Sequence, residues 1–208
     1  MPLPQLPMLE WTPREARLLK SLSTPWKIQK FLNSLPYNTE PDGITCRSPR
    51  RVMRHRTAHC FEAALFGAAA LRTHGWPPLI LDLVAVRDSD HVIAPFKMDG
   101  CWGAIALSNY SGIRFREPVY RTIRELAISY FEDYINLRGE KTLRGYSRPV
   151  HLSRFDSIGW MTAEEDVWAI AEYLVDIPHT ALLSAKRLNS RMHADKRLFD
   201  SAMVGHRH

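Results

Sequence analysis

Thr57-Ala58-His59-Cys60-Phe61-Glu62-Ala63-Ala64-Leu65-Phe66-Gly67-Ala68-Ala69-Ala70-Leu71 is the stretch whose reading decides the fold. Phe61, Ala64, Leu65, Ala68 and Leu71 recur at helical spacing, and Gly67 with the surrounding alanines leaves room for another element to come close. The pattern predicts a buried helix with a cysteine in its first turn. Unpaired N–H groups and the positive end of the helix dipole stabilise a thiolate there, so the position suits a nucleophile. A free cysteine on an apolar helix also behaves as a small hydrophobe, so the sulfur needs further partners before it carries chemistry.

The chain has 208 residues, 45% of them hydrophobic and 24% charged, which is enough for one sizeable core and one domain over residues 1–208. The apolar run around Phe61 to Leu71 is far short of the roughly 20 residues of a membrane span, and Met1 to Glu10 lacks a signal-peptide pattern. No membrane association and a cytoplasmic location are expected. Cys46, Cys60 and Cys101 have no CxxC spacing, so neither a disulfide framework nor a metal site is expected. The net charge of +6 and Arg47, Arg50, Arg51, Arg54 and Arg56 would suit an acidic partner. No aromatic residue is interleaved with these arginines, and a solvated basic face is favoured over nucleic-acid binding.

Outward from the cysteine helix, Gly75-Trp76-Pro77-Pro78 ends it, and strands are expected over Leu79–Val86, His91–Phe96 and Trp102–Leu107. Asp99-Gly100 marks the hairpin between the last two. Upstream, Thr12-Pro13, Thr24-Pro25 and Ser48-Pro49 each open a helix, after an irregular arm over residues 1–11. Downstream, Pro118 is expected to open a long amphipathic helix with Val119, Ile123, Leu126, Tyr130 and Tyr134 on its apolar face. Residues 136–160 show no period. Thr162 to Glu165 reads as a capping box before a helix bearing Val167, Ile170, Ala171 and Leu174, and polar helices are expected to finish the chain before a frayed Gly205-His206-Arg207-His208. The expected architecture is α+β, with the cysteine helix packed on a small antiparallel sheet and flanked by N- and C-terminal helices. Its core covers residues 25–135, and residues 136–208 form a helical extension.

A nucleophilic cysteine needs a base and a group that orients the base. His91 opens the strand that follows the cysteine unit and is the candidate base. Hairpin register proposes the third group. A two-residue loop at Asp99-Gly100 sets Ser108 across from His91, whereas a three-residue loop sets Asn109 there. Asn109 is favoured, because its amide fixes a ring more firmly than a rotating hydroxyl and Pro95 makes an irregular register plausible.

Cys60 opening an alanine-rich helix, Gly75-Trp76-Pro77-Pro78, a hydrophobic strand, Asp90-His91 and Trp102 together resemble the transglutaminase-like branch of the papain-type cysteine enzymes, over Pro25 to Tyr134. The resemblance implies a papain/transglutaminase-like core, acyl transfer at an amide bond, and Cys60, His91 and Asn109 as nucleophile, base and third residue. Asparagine stands where the family commonly has aspartate, and no aromatic residue follows His91 closely, which points to a divergent bacterial-type subgroup. The sequence therefore reads as a cysteine hydrolase or acyltransferase acting on a peptide or amide substrate without metal or organic cofactor. The oxyanion is assigned to the Cys60 N–H and one upstream donor, with His59 and Trp102 as binding neighbours. The alternatives are a papain-like fold used as a binding module and a basic nucleic-acid-associated protein.

Overall fold

The computed structural model describes residues 11–188 and 192–206. The N-terminal arm, apart from Trp11, and the last two residues lie outside these. Three short helices come first: α1 (Pro13–Ser21), α2 (Pro25–Asn33) and α3 (Pro49–His55). Each begins with proline behind a hydroxyl cap, from Thr12, Thr24 and Ser48, as the sequence predicts. The cysteine helix α4 (Cys60–Thr73) is buried at every position from Phe61 to Leu71. Gly67 shows why the helix is so poor in bulk: a Cβ there would stand 3.0 Å from Ile105 Cγ2 and 3.4 Å from Ala94. The helix therefore rests almost directly on the sheet.

That sheet is antiparallel and has seven strands among the described residues, more than the small meander expected. Strands β1 (Leu79–Ala85), β2 (His91–Met98), β3 (Cys101–Ile105) and β4 (Arg116–Tyr120) continue to β5 (Leu143–Ser147), β6 (Val150–His151) and β7 (His179–Ala181). Their order is β4-β3-β2-β1-β5-β7, with β6 also on β1. The last three strands come from the segment expected to be a helical extension, so residues 136–208 complete the sheet rather than append to it. Their short runs, such as Leu143-Arg144-Gly145-Tyr146-Ser147, are too brief for a period to show. A 3-10 turn (Leu152–Ile158) and helices α6 (Trp168–Asp176), α7 (Ala185–Leu188) and α8 (Lys196–Ala202) follow in the chain order.

The long helix expected from Pro118 is instead a strand and a short helix, α5 (Ile123–Ile128). Residues 116–120 pair with β3 at the sheet edge, where proline's missing N–H costs no ladder bond. Gly103 permits this approach, since a Cβ there would lie 2.8 Å from the Arg116 carbonyl oxygen. Thr122 then caps α5 by accepting the Glu125 N–H at 3.1 Å. Leu126, Tyr130 and Tyr134 still cover the sheet as their spacing requires, and all three are buried.

The capping box expected at Thr162 also fails, and α6 starts only at Trp168. The acidic residues on either side of Glu165 are tied to α3 instead: Glu164 pairs with Arg54 at 2.6 Å, and Asp166 pairs with Arg51. Arg50 meets Glu15 at 3.1 Å, Arg47 donates to Thr57 at 2.9 Å, and Arg56 lies over the Phe31 ring at 5.0 Å. The basic stretch is thus largely an ion-pair layer tying α3 to α1 and to the 164–166 loop. Among the described residues no helix is long and apolar enough to cross a membrane.

Two apolar clusters lie on opposite faces of the sheet. One joins α4 and the N-terminal helices to Ile80, Val92, Ala94, Phe96 and Ile105. The other joins α5, Tyr130 and Tyr134 to Leu81, Leu83, Ile93 and Ala104.

Candidate active site

Cys60 is the first residue of α4 and stays partly exposed, at the end of the sheet where β2 begins. Two imidazoles reach its sulfur. His59, which precedes it, and His91, at the start of β2, both stand close enough to act on the thiolate. Burial alone would raise the Cys60 thiol, but the hydrogen bonds and charges of the two imidazoles outweigh it and hold the pKa well below the ordinary thiol range. A cysteine at the N-terminal turn of a buried helix is the arrangement the sequence predicts.

His59 is the more firmly built of the two. Its Nε2 is 2.9 Å from the Thr45 carbonyl oxygen and 3.6 Å from carboxylate oxygens of both Glu62 and Glu40. Burial by itself would lower this imidazole, yet the Cys60 thiolate, Glu62 and Thr45 hold it up at about 9. Glu62 is fully buried and satisfied, accepting from the Thr45 hydroxyl at 2.7 Å, the Arg47 and His59 backbone N–H groups at 3.1 Å, and the Asn38 amide at 3.3 Å. Its role was legible but unread: His59 and Glu62 stand at the N-cap and N3 spacing of a capping box, beside the cysteine itself.

His91 has no such scaffold. The ring is buried edge-on to Tyr130 and Tyr134, with centroids 6.3 Å and 6.4 Å away, and its Nε2 has no hydrogen-bond partner in the protein. The hairpin explains part of this. Met98 pairs with Cys101 and Ala94 with Ile105, so Asp99-Gly100 is a two-residue turn with φ of 49° and 81°, not the three-residue loop that favoured Asn109.

Nor does the ladder continue to His91. Gln29 on α2 takes over at Ala106, accepting its N–H at 3.0 Å and donating to its carbonyl at 2.8 Å, and so draws the chain away from β2. Beyond this point Ser108 turns inward on its own backbone, accepting the Tyr110 N–H at 3.0 Å. Asn109 lines the cleft beside Cys60 but does not hold the Nε2 of His91.

Tyr37 is the residue that sequence reasoning did not find. A parallel bridge between Tyr37 and Ala58, with the Asn38 N–H donating to the Ala58 carbonyl at 3.0 Å, brings its hydroxyl beside both the backbone N–H and the sulfur of Cys60. Burial first, and then the thiolate, push this hydroxyl above its ordinary range, so it remains a protonated donor. No local pattern announces this, because Tyr37 lies in a loop and meets the helix only through tertiary pairing. Trp102, in contrast, lies away from the site: it pairs with Lys97, six residues along β2 from His91, or about 20 Å at strand rise.

The cleft divides at Cys60 into a cavity of about 240 Å³ that also contains His91, Asp88 and Asp90, and a more open one of about 410 Å³ that contains His59 and Glu40. His206, expected to fray, lines the first and packs on Tyr110 with centroids 4.8 Å apart. Among the described residues no group of three or more His, Cys, Asp or Glu side chains is arranged to hold a metal ion. No protein-family model matches the chain, and no curated protein shows significant similarity to it.

Proposed function

We propose that the protein is a cysteine hydrolase or acyltransferase acting on an amide bond, in the manner of the transglutaminase-like enzymes its sequence resembles. One observation carries this reading: the Cys60 thiolate, at a helix N-terminus facing an open cleft, lies between two imidazoles that lower its pKa. The sulfur attacks the carbonyl carbon, and the C=O electron pair moves to oxygen. The Cys60 N–H and the Tyr37 hydroxyl are the donors positioned for that oxyanion. His91 gives a proton to the leaving nitrogen as the C–N bond breaks, leaving a thioester. Water, or a second amine, then loses a proton to His91, attacks the thioester and releases the thiolate.

The two histidines divide the work on physical grounds. His59, held protonated at neutral pH, is a fixed cation that keeps the sulfur ionised. His91, with one nitrogen unpartnered, is the group free to carry protons. Asn109 takes a place on the cleft wall beside Cys60.

The unpartnered Nε2 of His91 is also what a binding module with an unused cysteine would show, and one experiment separates the two. Iodoacetamide alkylation of Cys60, followed by mass spectrometry from about pH 4 to 10, is expected to give a midpoint well below the ordinary value of about 8.5. A midpoint at or above that value, with Cys60 inert near neutral pH, would overturn the enzyme reading.

A further inference from the structure

We propose that the acyl substrate carries a positive charge, an ammonium or guanidinium group, seated against Asp88 and Asp90 beside Cys60. The inference rests on the cysteine-enzyme reading above and names the class of its substrate. The protein has a net charge of +6, yet the cavities on either side of Cys60 are lined by three carboxylates, Asp88, Asp90 and Glu40, and by no described lysine or arginine. The basic groups that do line them are the imidazoles of His59, His91 and His206, and the charge of His59 is matched by the thiolate.

Several carboxylates elsewhere are paired with arginine, as at Glu15, Asp156, Glu164 and Asp166. Asp88 and Asp90 form no ion pair among the described residues. They accept only neutral donors: Asp88 from the Thr142 hydroxyl at 2.6 Å and the Ser89 N–H at 2.9 Å, and Asp90 from the Ala85 N–H at 2.8 Å. Burial, and then the charge of Asp90, push the Asp88 carboxyl up. A cation from outside would relieve both effects.

A second, independent sign of a ligand lies in the same cavity. His91 is 3% exposed, and its Nε2 is a buried polar atom that the protein leaves unpartnered. Buried polar groups are nearly always satisfied, and one left open beside a nucleophile is a place for a group that the protein does not supply. The cavity shared by Cys60, His91 and the two aspartates, about 240 Å³, holds an extended side chain rather than a bulky ring system. The acyl portion becomes bonded to Cys60, so the charge belongs to that portion and not to an acceptor amine that arrives later.

The test uses three methanethiosulfonates of similar size on the full chain carrying Cys101→Ser: the cationic aminoethyl, the neutral hydroxyethyl and the anionic sulfonatoethyl reagents. In each, the Cys60 sulfur forms a disulfide with the reagent's alkylthio group and expels methanesulfinate, so the charged arm ends where an acyl group would. Rates at Cys60, read by mass spectrometry and divided by those of 2-mercaptoethanol, are expected to favour the cation over the anion by about tenfold or more at low salt, and to converge in about 0.5 M salt. In Asp88→Asn/Asp90→Asn, whose amide oxygens still accept the Ser89 and Ala85 N–H groups while the Thr142 hydroxyl turns to accept from the new amide at position 88, the preference should fall to within about threefold. A cation-to-anion ratio near one in the unsubstituted cavity, with Cys60 reacting rapidly, would overturn the charge inference and leave the enzyme reading standing. Failure of Cys60 to react with any of the three would overturn both.

Discussion

His59 and His91 touch the same sulfur and are built in opposite ways. His59 is fixed by a carbonyl oxygen at 2.9 Å and two carboxylates, and its proton is held up to about 9. His91 is held by shape, wedged between Tyr130 and Tyr134 with one nitrogen unpartnered. The difference teaches that stabilising a thiolate and moving a proton make different demands. The first is served by a permanent cation whose charge is buried with its counter-charges. The second needs a ring with a nitrogen that the protein leaves open, as it leaves Nε2 of His91.

Glu62→Ala strikes the supported side hardest. It strips the acceptor from four donors and leaves the cation of Arg47, 3.7 Å from Glu62, beside an uncompensated pocket, so about 3–5 kcal/mol should be lost in urea unfolding. A change below about 1 kcal/mol would mean that water replaces the carboxylate and that the scaffold under His59 is not structural.

The comparison itself is tested by His59→Ala against His91→Ala. His59→Ala should raise the alkylation midpoint of Cys60 by about one pH unit or more, a tenfold loss of thiolate on the acid side. A smaller shift is expected for His91→Ala, together with loss of amide turnover. Circular dichroism should show both variants folded. Equal shifts in the two variants would dissolve the division of labour.

Asp82 and His179, bonded at 2.8 Å away from both cavities, give a carboxylate–imidazole pair for contrast with Glu62 and His59. Burial, opposed by the His179 hydrogen bond and assisted by the charge of Asp90, pushes the Asp82 carboxyl up to about 6. In the unfolded chain its pKa is about 3.9, so between roughly pH 4 and 6 the folded state binds more protons and this group's contribution to stability falls as pH rises. Asp82→Asn removes that fall, and unfolding free energies at pH 4, 5 and 6 should show the parent losing ground to the variant. A parent that gains over this window would show that the imidazole bond outweighs burial.

The smallest effect probes the shape-held side. Tyr134→Phe deletes a hydroxyl that donates to the Ser89 carbonyl at 2.6 Å, in the loop that delivers His91. About 1 kcal/mol of stability should be lost, with the Cys60 midpoint nearly unmoved, because Tyr134 packs on His91 without bonding it. A large shift in that midpoint would show that the ring depends on the tyrosine's polar end after all.

Much of this was written locally. The cysteine helix, its closing Gly75, the three hydroxyl-capped helices and the turn at Asp99-Gly100 depend on neighbours within one turn of chain, and all appear where the sequence places them. The helix expected from Pro118 went wrong because its apolar spacing serves a strand followed by a short helix equally well, and only the open edge of β3 decides between them. The segment before α6 was misread because the arginines of α3 hold Glu164 and Asp166, on either side of the capping-box Glu165, from 110 or more positions away. Strands β5 to β7 were invisible because each is five residues or shorter and has its partner far away in sequence.

By itself the sequence determined that Cys60 opens a buried helix, that His91 starts the second strand, and that His59 and Glu62 stand at capping distance. These are matters of spacing, and spacing is local. Tertiary structure alone decided which side chains meet the sulfur: that Tyr37 reaches it through a bridge to Ala58, and that Gln29 draws the chain before Ser108 and Asn109 out of register with His91. A hydrogen bond is made or lost over less than an ångström, and the packing of segments distant in sequence fixes positions to that tolerance.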